Sequence, residues 1–220
     1  MAGPNAIAWW GLRTQVAALR VEGLANVPAS GPVMLVARHF HHLLDGSVLV
    51  RSIPRPIHIV VGLDWTKDER ERRWMERACR AAGYPIVLRP ATLGRNDGFS
   101  RDELLRYTRA AMRDVVALLR AGRVVLVFPE GYPNVDPAFR QKTDDDAFLP
   151  FEDGYRRMVA AAERDGETRV AVVPVGFQYT RGEKWTIVAR IGQPQFDGDA
   201  AAIERAVREL STETKTARLA

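Results

Sequence analysis

Val33-Met-Leu-Val-Ala37 is an unbroken apolar run, and Arg38-His39-Phe40-His41-His42-Leu43-Leu44-Asp45-Gly46 follows it directly. A strand with one face in water alternates apolar and polar residues, so a run with no polar member reads as a strand covered on both faces. Similar runs recur at Ile57–Val61, interrupted only by His58, and at Val124–Phe128 and Val170–Val175, with a shorter piece at Ile86–Leu88 and a last strand at Trp185–Ile191. Segments of helical period lie between them. These are 65–82, with Trp74, Met75, Ala78, Cys79 and Ala82 on one side, then 102–119 stopped by Ala121-Gly122, then 154–164 and 199–217. Strands alternating with helices predict an α/β fold, a mostly parallel sheet flanked by helices on both faces.

Upstream, residues 7–24 read as a short N-terminal amphipathic helix with Leu12, Val16 and Leu19 on one face, broken by the proline- and glycine-containing stretch 25–32. The expected organisation is a helix and lead-in at 1–28 and a single α/β domain at 29–220. Apolar residues at 46% and charged residues at 27% supply both a core and a soluble surface, which excludes a disordered chain. The single cysteine, Cys79, excludes an internal disulfide framework and a cysteine-based zinc cluster. Lys+Arg of 32 against Asp+Glu of 27 gives +5, a balance suited to phosphate esters, an anionic membrane face or nucleic acid. No stretch approaches the ~18 apolar residues of a membrane span. Met1–Arg13 lacks a basic leader followed by a long apolar run. The expected location is cytoplasmic, peripherally associated with the inner face of the membrane.

In open α/β sheets, ligands bind beyond the carboxyl ends of the strands, where His39, His41 and His42 fall. Histidine titrates near neutral pH and serves as a general base, and an aspartate on its other ring nitrogen fixes the tautomer. If a helix begins near Phe40, His41 and Asp45 are i,i+4 neighbours, whereas His39 reaches Asp45 only through a looser turn. Helical reach favours His41. Phe128-Pro-Glu130-Gly131 also exits a buried strand, offering a carboxylate and a glycine that admits close approach of a ligand. Gly83-Tyr-Pro-Ile86-Val-Leu-Arg89 delivers an arginine at a strand end, a planar fork suited to phosphate.

The order of these motifs, His…Asp45, Gly83-x-x-Ile86-x-x-Arg89, Phe128-Pro-Glu130-Gly131 and Val172-Val-Pro-Val175, resembles the glycerolipid acyltransferase superfamily, typified by 1-acylglycerol-3-phosphate acyltransferases. Val21-Glu-Gly-Leu24, Phe151-x-x-Gly154 and Ile191-Gly-Gln-Pro194 extend the likeness over residues 20–195. The resemblance implies transfer of a fatty acyl group from acyl-CoA or acyl-carrier protein to a hydroxyl of a lysophospholipid or glycerol phosphate-type acceptor. It implies a His–Asp45 dyad that activates the hydroxyl without an acyl-enzyme, with Arg89 on the acceptor phosphate and Glu130 with Gly131 lining the acceptor site. His42 is the third histidine, taken as a substrate contact. No metal and no tightly bound cofactor are called for.

Two departures from the family pattern stand out. The family places four residues between His and Asp, a count that falls on Phe40, so His39 is one residue too far and His41 one too near. After Gly131 the family commonly continues Thr/Ser-Arg, but this chain has Tyr132-Pro133; Arg140 or Lys142 could replace the missing cation. Trp9 and Trp10 beside Arg13, and Trp74 among Arg70, Arg73 and Arg77, suit an interfacial membrane contact. Residues 140–153, with Asp144-Asp-Asp146, read as a loop able to act as a lid. Two rival readings are a metal-dependent hydrolase built on the histidine cluster and a non-catalytic lipid-binding relative. Nucleic-acid binding rests on charge alone and is not expected.

Overall fold

The computed structural model describes residues 4–66, 68–89, 100–136, 141–142, 144–196 and 199–212. Its centre is β2 (Val33–Ala37), in which all five residues are buried. Alternate residues of a strand point to opposite faces, and here they feed two cores. Val33, Leu35 and Ala37 pack with Leu44, Val48 and Leu49 of α2 (Leu44–Ser52). Met34 and Val36 pack with Val115 and Leu119 of α4 (Arg101–Arg120), Met158 of α5 (Gly154–Glu163) and Ile203 and Val207 of α6 (Ala200–Ser211).

The main sheet is completed by β1 (Val16–Glu22), β3 (Ile57–Ile59), β6 (Val124–Val127), β7 (Ala171–Thr180) and β8 (Trp185–Ile191), in the order β1-β8-β7-β2-β6-β3. The β7–β8 pair is antiparallel and the other pairings of this sheet are parallel. The fold class read from the sequence is therefore the observed one. A satellite sheet of β4 (Val61–Gly62) and β5 (Ile86–Val87) carries α3 (Glu69–Ala82) over a small core of Leu63, Cys79, Ile86 and Leu88.

Three local readings change. The N-terminal helix, α1 (Pro4–Gln15), ends early; Val16–Glu22 is an edge strand whose outer residues 17–20 stay exposed, so Val16 and Leu19 do not share a helical face. The run Ile57–Val61 divides, with β3 pairing to β6 while Val61 N–H bonds to Pro85 O and enters the satellite sheet. Trp74 lies on the outer side of α3, 55% exposed, because it is about 100° around the helix from Met75, which meets the satellite core. Of the terminal helix read at 199–217, residues 213–217 lie outside the described residues.

Helix boundaries follow ordinary capping chemistry. Ser100 and Glu103 form a capping box at the start of α4, and Asp68 accepts the Glu71 N–H at the start of α3. Gly122, at φ 69°, takes the left-handed turn that ends α4. The carboxyl ends of β2, β6 and β7 lie side by side, so the residues that follow each of them converge.

Candidate active site

Asp45 sits in the first turn of α2 and is completely buried. Its Oδ2 accepts the backbone N–H of Phe40 at 2.7 Å and of His41 at 2.9 Å, and meets His39 Nδ1 at 3.1 Å. Its Oδ1 accepts the Tyr179 hydroxyl at 2.6 Å. A carboxylate only accepts, so Nδ1 of His39 carries the hydrogen and Nε2 carries the lone pair. The His39 ring stacks on Phe128 with centroids 4.3 Å apart, and 15% of its side chain is exposed. Burial, the negative charge on Asp45 and the bond to it hold the Tyr179 hydroxyl well above its ordinary pKa, so it remains a donor.

The extra residue between His39 and Asp45 is absorbed by a cross-loop contact. Phe40 O accepts from Val135 N at 2.7 Å, and His42 N donates to Val135 O at 3.1 Å. The Phe40 ring is laid on Tyr179, centroids 4.2 Å apart. The i,i+4 contact expected of His41 takes a different form, made by its backbone. The His41 ring turns back, its Nδ1 facing the N–H groups of Leu43 and Leu44 at 3.3 and 3.4 Å. It thus satisfies orphan donors at the start of α2. Burial lowers its pKa to about 4, against the opposing pull of Asp45. His42 is exposed, with Nδ1 on Val135 O at 3.2 Å.

Glu130 and Lys142 form a buried pair, 2.7 Å apart, beneath His39. Glu130 Oε1 accepts the His39 N–H at 2.9 Å, and Lys142 Nζ donates to His39 O at 2.8 Å, so one ion pair grips both sides of that residue's backbone. Glu130, expected to line the acceptor site, faces inward: its Oε2 also accepts the Leu149 N–H at 3.0 Å. Lys142, considered as a phosphate cation, is buried for the same reason, and burial pulls its ammonium below the ordinary pKa while Glu130 opposes the shift. Arg140 lies outside the described residues.

The loop read as a lid is strapped down at several points. Asn134 Nδ2 reaches the carbonyls of Asp144, Asp145 and Ala147, and Arg38 Nη2 donates to Asp145 O at 2.7 Å. Arg89 leaves β5 toward the same region, with Nε on Asp64 Oδ2 at 2.7 Å, Nη1 on Gly131 O and its guanidinium 4.0 Å over the Tyr132 ring.

Sequence reasoning missed Tyr179, Asn134 and Asp64. Two were within reach: Asp64 follows an apolar run as Glu130 does, and the 180–184 gap with Gly182 between two apolar strands signals a hairpin that extends β7 to Tyr179. Nothing local marks Asn134. Among the described residues no group of three or more His, Cys, Asp or Glu is arranged to hold a metal ion.

The family model described as Acyltransferase matches residues 18–178, and the chain belongs to this family, within the glycerolipid acyltransferase superfamily that its motifs resemble. Among solved structures, its fold is similar to the 1-acyl-sn-glycerophosphate (LPA) acyltransferase, PlsC, from Thermotoga maritima. That likeness has 18% identity and a TM-score of 0.60, and covers 94% of this chain and 76% of that one. No curated protein matches.

Two consequences of this geometry are measurable. Lys142→Met leaves the Glu130 carboxylate buried without its cation and is expected to cost about 3–5 kcal/mol in urea denaturation, part of it recovered by adding Glu130→Gln. For His41, the unfolded ring takes up a proton near pH ~6.5 and the folded one near about 4, so the unfolded state binds more protons in between. Stability therefore falls as pH drops through that window. The loss in melting temperature is expected to be smaller in His41→Asn, whose amide oxygen can accept the same N–H groups.

Proposed function

We propose that the protein transfers a fatty acyl group from a thioester, acyl-CoA or acyl-carrier protein, to a free hydroxyl of a glycerolipid acceptor, with His39 as the general base. The observation that carries this reading is the 3.1 Å contact of His39 Nδ1 with buried Asp45, in a member of an acyltransferase family. Nε2 of His39 takes the hydroxyl proton as the acceptor oxygen attacks the thioester carbonyl. The tetrahedral intermediate collapses, the C–S bond breaks, and the departing sulfur recovers the proton from Nε2. Asp45 holds the ring and stabilises the imidazolium formed between the two transfers. His41 acts through its backbone and as a helix cap, and His42 is available to the substrate at the rim.

Direct transfer suits the rest of the site. Cys79 is buried in the satellite core with its thiol pushed up to about 11, which leaves it a poor nucleophile. Proton transfer by the dyad and the reactivity of the thioester call for no metal or bound cofactor. The motifs imply Arg89 as the contact to a phosphate-bearing acceptor, and Arg89 here is paired with the Asp64 carboxylate.

The proposed setting is the inner face of the membrane, as a peripheral protein. No helix among the described residues is long and apolar enough to cross a bilayer. On α1, small Ala8 and Gly11 face the fold while Trp9 and Trp10 are 50% and 58% exposed, with Arg13 beside them. Exposed tryptophans flanked by arginine suit the headgroup layer.

Thiol release from a long-chain acyl-CoA, with and without lipid acceptors, tests the reading. Acceptor-dependent release is expected in the wild type and should fall about 10²-fold or more in His39→Ala, with much smaller losses in folded His41→Ala and His42→Ala. Undiminished release in His39→Ala would remove His39 as the base, and release independent of acceptor would indicate a thioesterase.

A further inference from the structure

We propose that Asp64 sets the acceptor specificity of this site: the Asp64–Arg89 pair leaves the position implied for an acceptor phosphate without net charge, and the acceptor is an uncharged lipid alcohol rather than a phosphomonoester. The inference rests on the acyl-transfer reading of the site.

Arginine recognises phosphate through a two-nitrogen edge, either Nε with one Nη or the two Nη atoms together. Both edges of Arg89 have a nitrogen engaged, since Nε is held by Asp64 at 2.7 Å and Nη1 by the carbonyl of Gly131. Tyr132 covers one face of the guanidinium at 4.0 Å. Asp64 itself is buried, and its Oδ1 has no hydrogen-bond partner among the described residues. Its negative charge is therefore shared with Arg89 rather than spread over several donors.

Among the described residues, charge nearby does not restore the balance. Tyr132-Pro133 stands where the family pattern supplies a second arginine. Lys142 is spent on Glu130, both side chains being fully buried. Arg38 is 4% exposed and held by the carbonyls of Phe177 and Asp145 and by the ring of Phe148. A phosphomonoester carries a charge of about −1.5 to −2 near neutral pH. Placed at Arg89 it meets a neutral pair whose carboxylate is inside the protein, where like charges repel more strongly than in water. A hydroxyl or ester oxygen on an uncharged acceptor meets no such opposition.

The opposite role for Asp64 is to aim Arg89 at a phosphate, and the two roles predict opposite effects of one isosteric change. The experiment compares kcat/KM for a monoacylglycerol and for lysophosphatidic acid of the same chain length, in the same mixed micelles, for wild type, Asp64→Asn and Asp64→Glu. Glycerol 3-phosphate binding by calorimetry is measured alongside. The wild type is expected to prefer the monoacylglycerol by about tenfold or more, and Asp64→Asn to raise use of lysophosphatidic acid by about tenfold. The readout is the ratio of kcat/KM for the two acceptors, which should shift toward lysophosphatidic acid by that factor in Asp64→Asn, and Asp64→Glu should keep the wild-type preference. A wild type that prefers lysophosphatidic acid, or an Asp64→Asn variant that uses it less well, overturns the proposal. The wild-type ratio decides alone if Asp64→Asn does not fold. Turnover of neither acceptor would sink the acyl-transfer reading itself. Calorimetry then judges Asp64 separately: tighter glycerol 3-phosphate binding in Asp64→Asn upholds its role, and equal or weaker binding refutes it.

Discussion

The carboxylate of Asp45 is the point on which the site depends. Completely buried, it collects two backbone N–H groups, a tyrosine hydroxyl and a histidine ring nitrogen. A buried charge is tolerable only when its lone pairs are used, and each donor here comes from a different requirement of the fold. The Phe40 and His41 N–H groups fix the turn between β2 and α2. Tyr179 ties that turn to the far end of β7. His39 is the one donor that keeps a second ring nitrogen, Nε2, and 15% of its side chain is exposed.

A second buried charge pair does for the backbone what Asp45 does for the ring. Glu130 and Lys142 hold the N–H and the carbonyl of His39 from opposite sides, and the same carboxylate fastens Leu149. The Phe-Pro-Glu-Gly turn thus acts as a bracket between His39, just past the end of β2, and the loop at 144–149. This differs from the direct substrate contact its exposed-looking position suggested. The loop at 144–149 belongs to the architecture of the site, since Asn134, Arg38 and Glu130 each reach into it. Around Arg89 the chain pairs cation with anion again, so charge at this end of the sheet is arranged mostly in closed pairs.

What the sequence disclosed, and what it hid, follows from the range of the interactions involved. Strands buried on both faces declare themselves as apolar runs, so β2, β6 and the first half of β7 were legible, and with the ends of β2 and β6 the approach of His39 to Glu130. The choice between His39 and His41 was not. Spacing alone favoured a helical i,i+4 contact, but α2 begins only at Leu44, and residues 40–42 are drawn out to pair with Val135, about ninety positions away. Tyr179, and the buried role of Lys142, escaped for the same reason, their partners being 134 and 103 positions distant. The strand at Val16–Glu22 was masked because a half-exposed edge strand and a helix of mixed face can share one short pattern.

The bond from Nδ1–H of His39 to Asp45 leaves the lone pair of that ring on Nε2. Nitrogen-15 NMR of the histidine side chains at mildly alkaline pH, assigned with His39→Gln and His41→Asn, reads this directly. The hydrogen is expected on Nδ1 for His39 and on Nε2 for His41, whose Nδ1 accepts from the start of α2. A spectrum in which the His39 hydrogen resides on Nε2, or in which Asp45→Asn leaves the His39 tautomer unchanged, would contradict it.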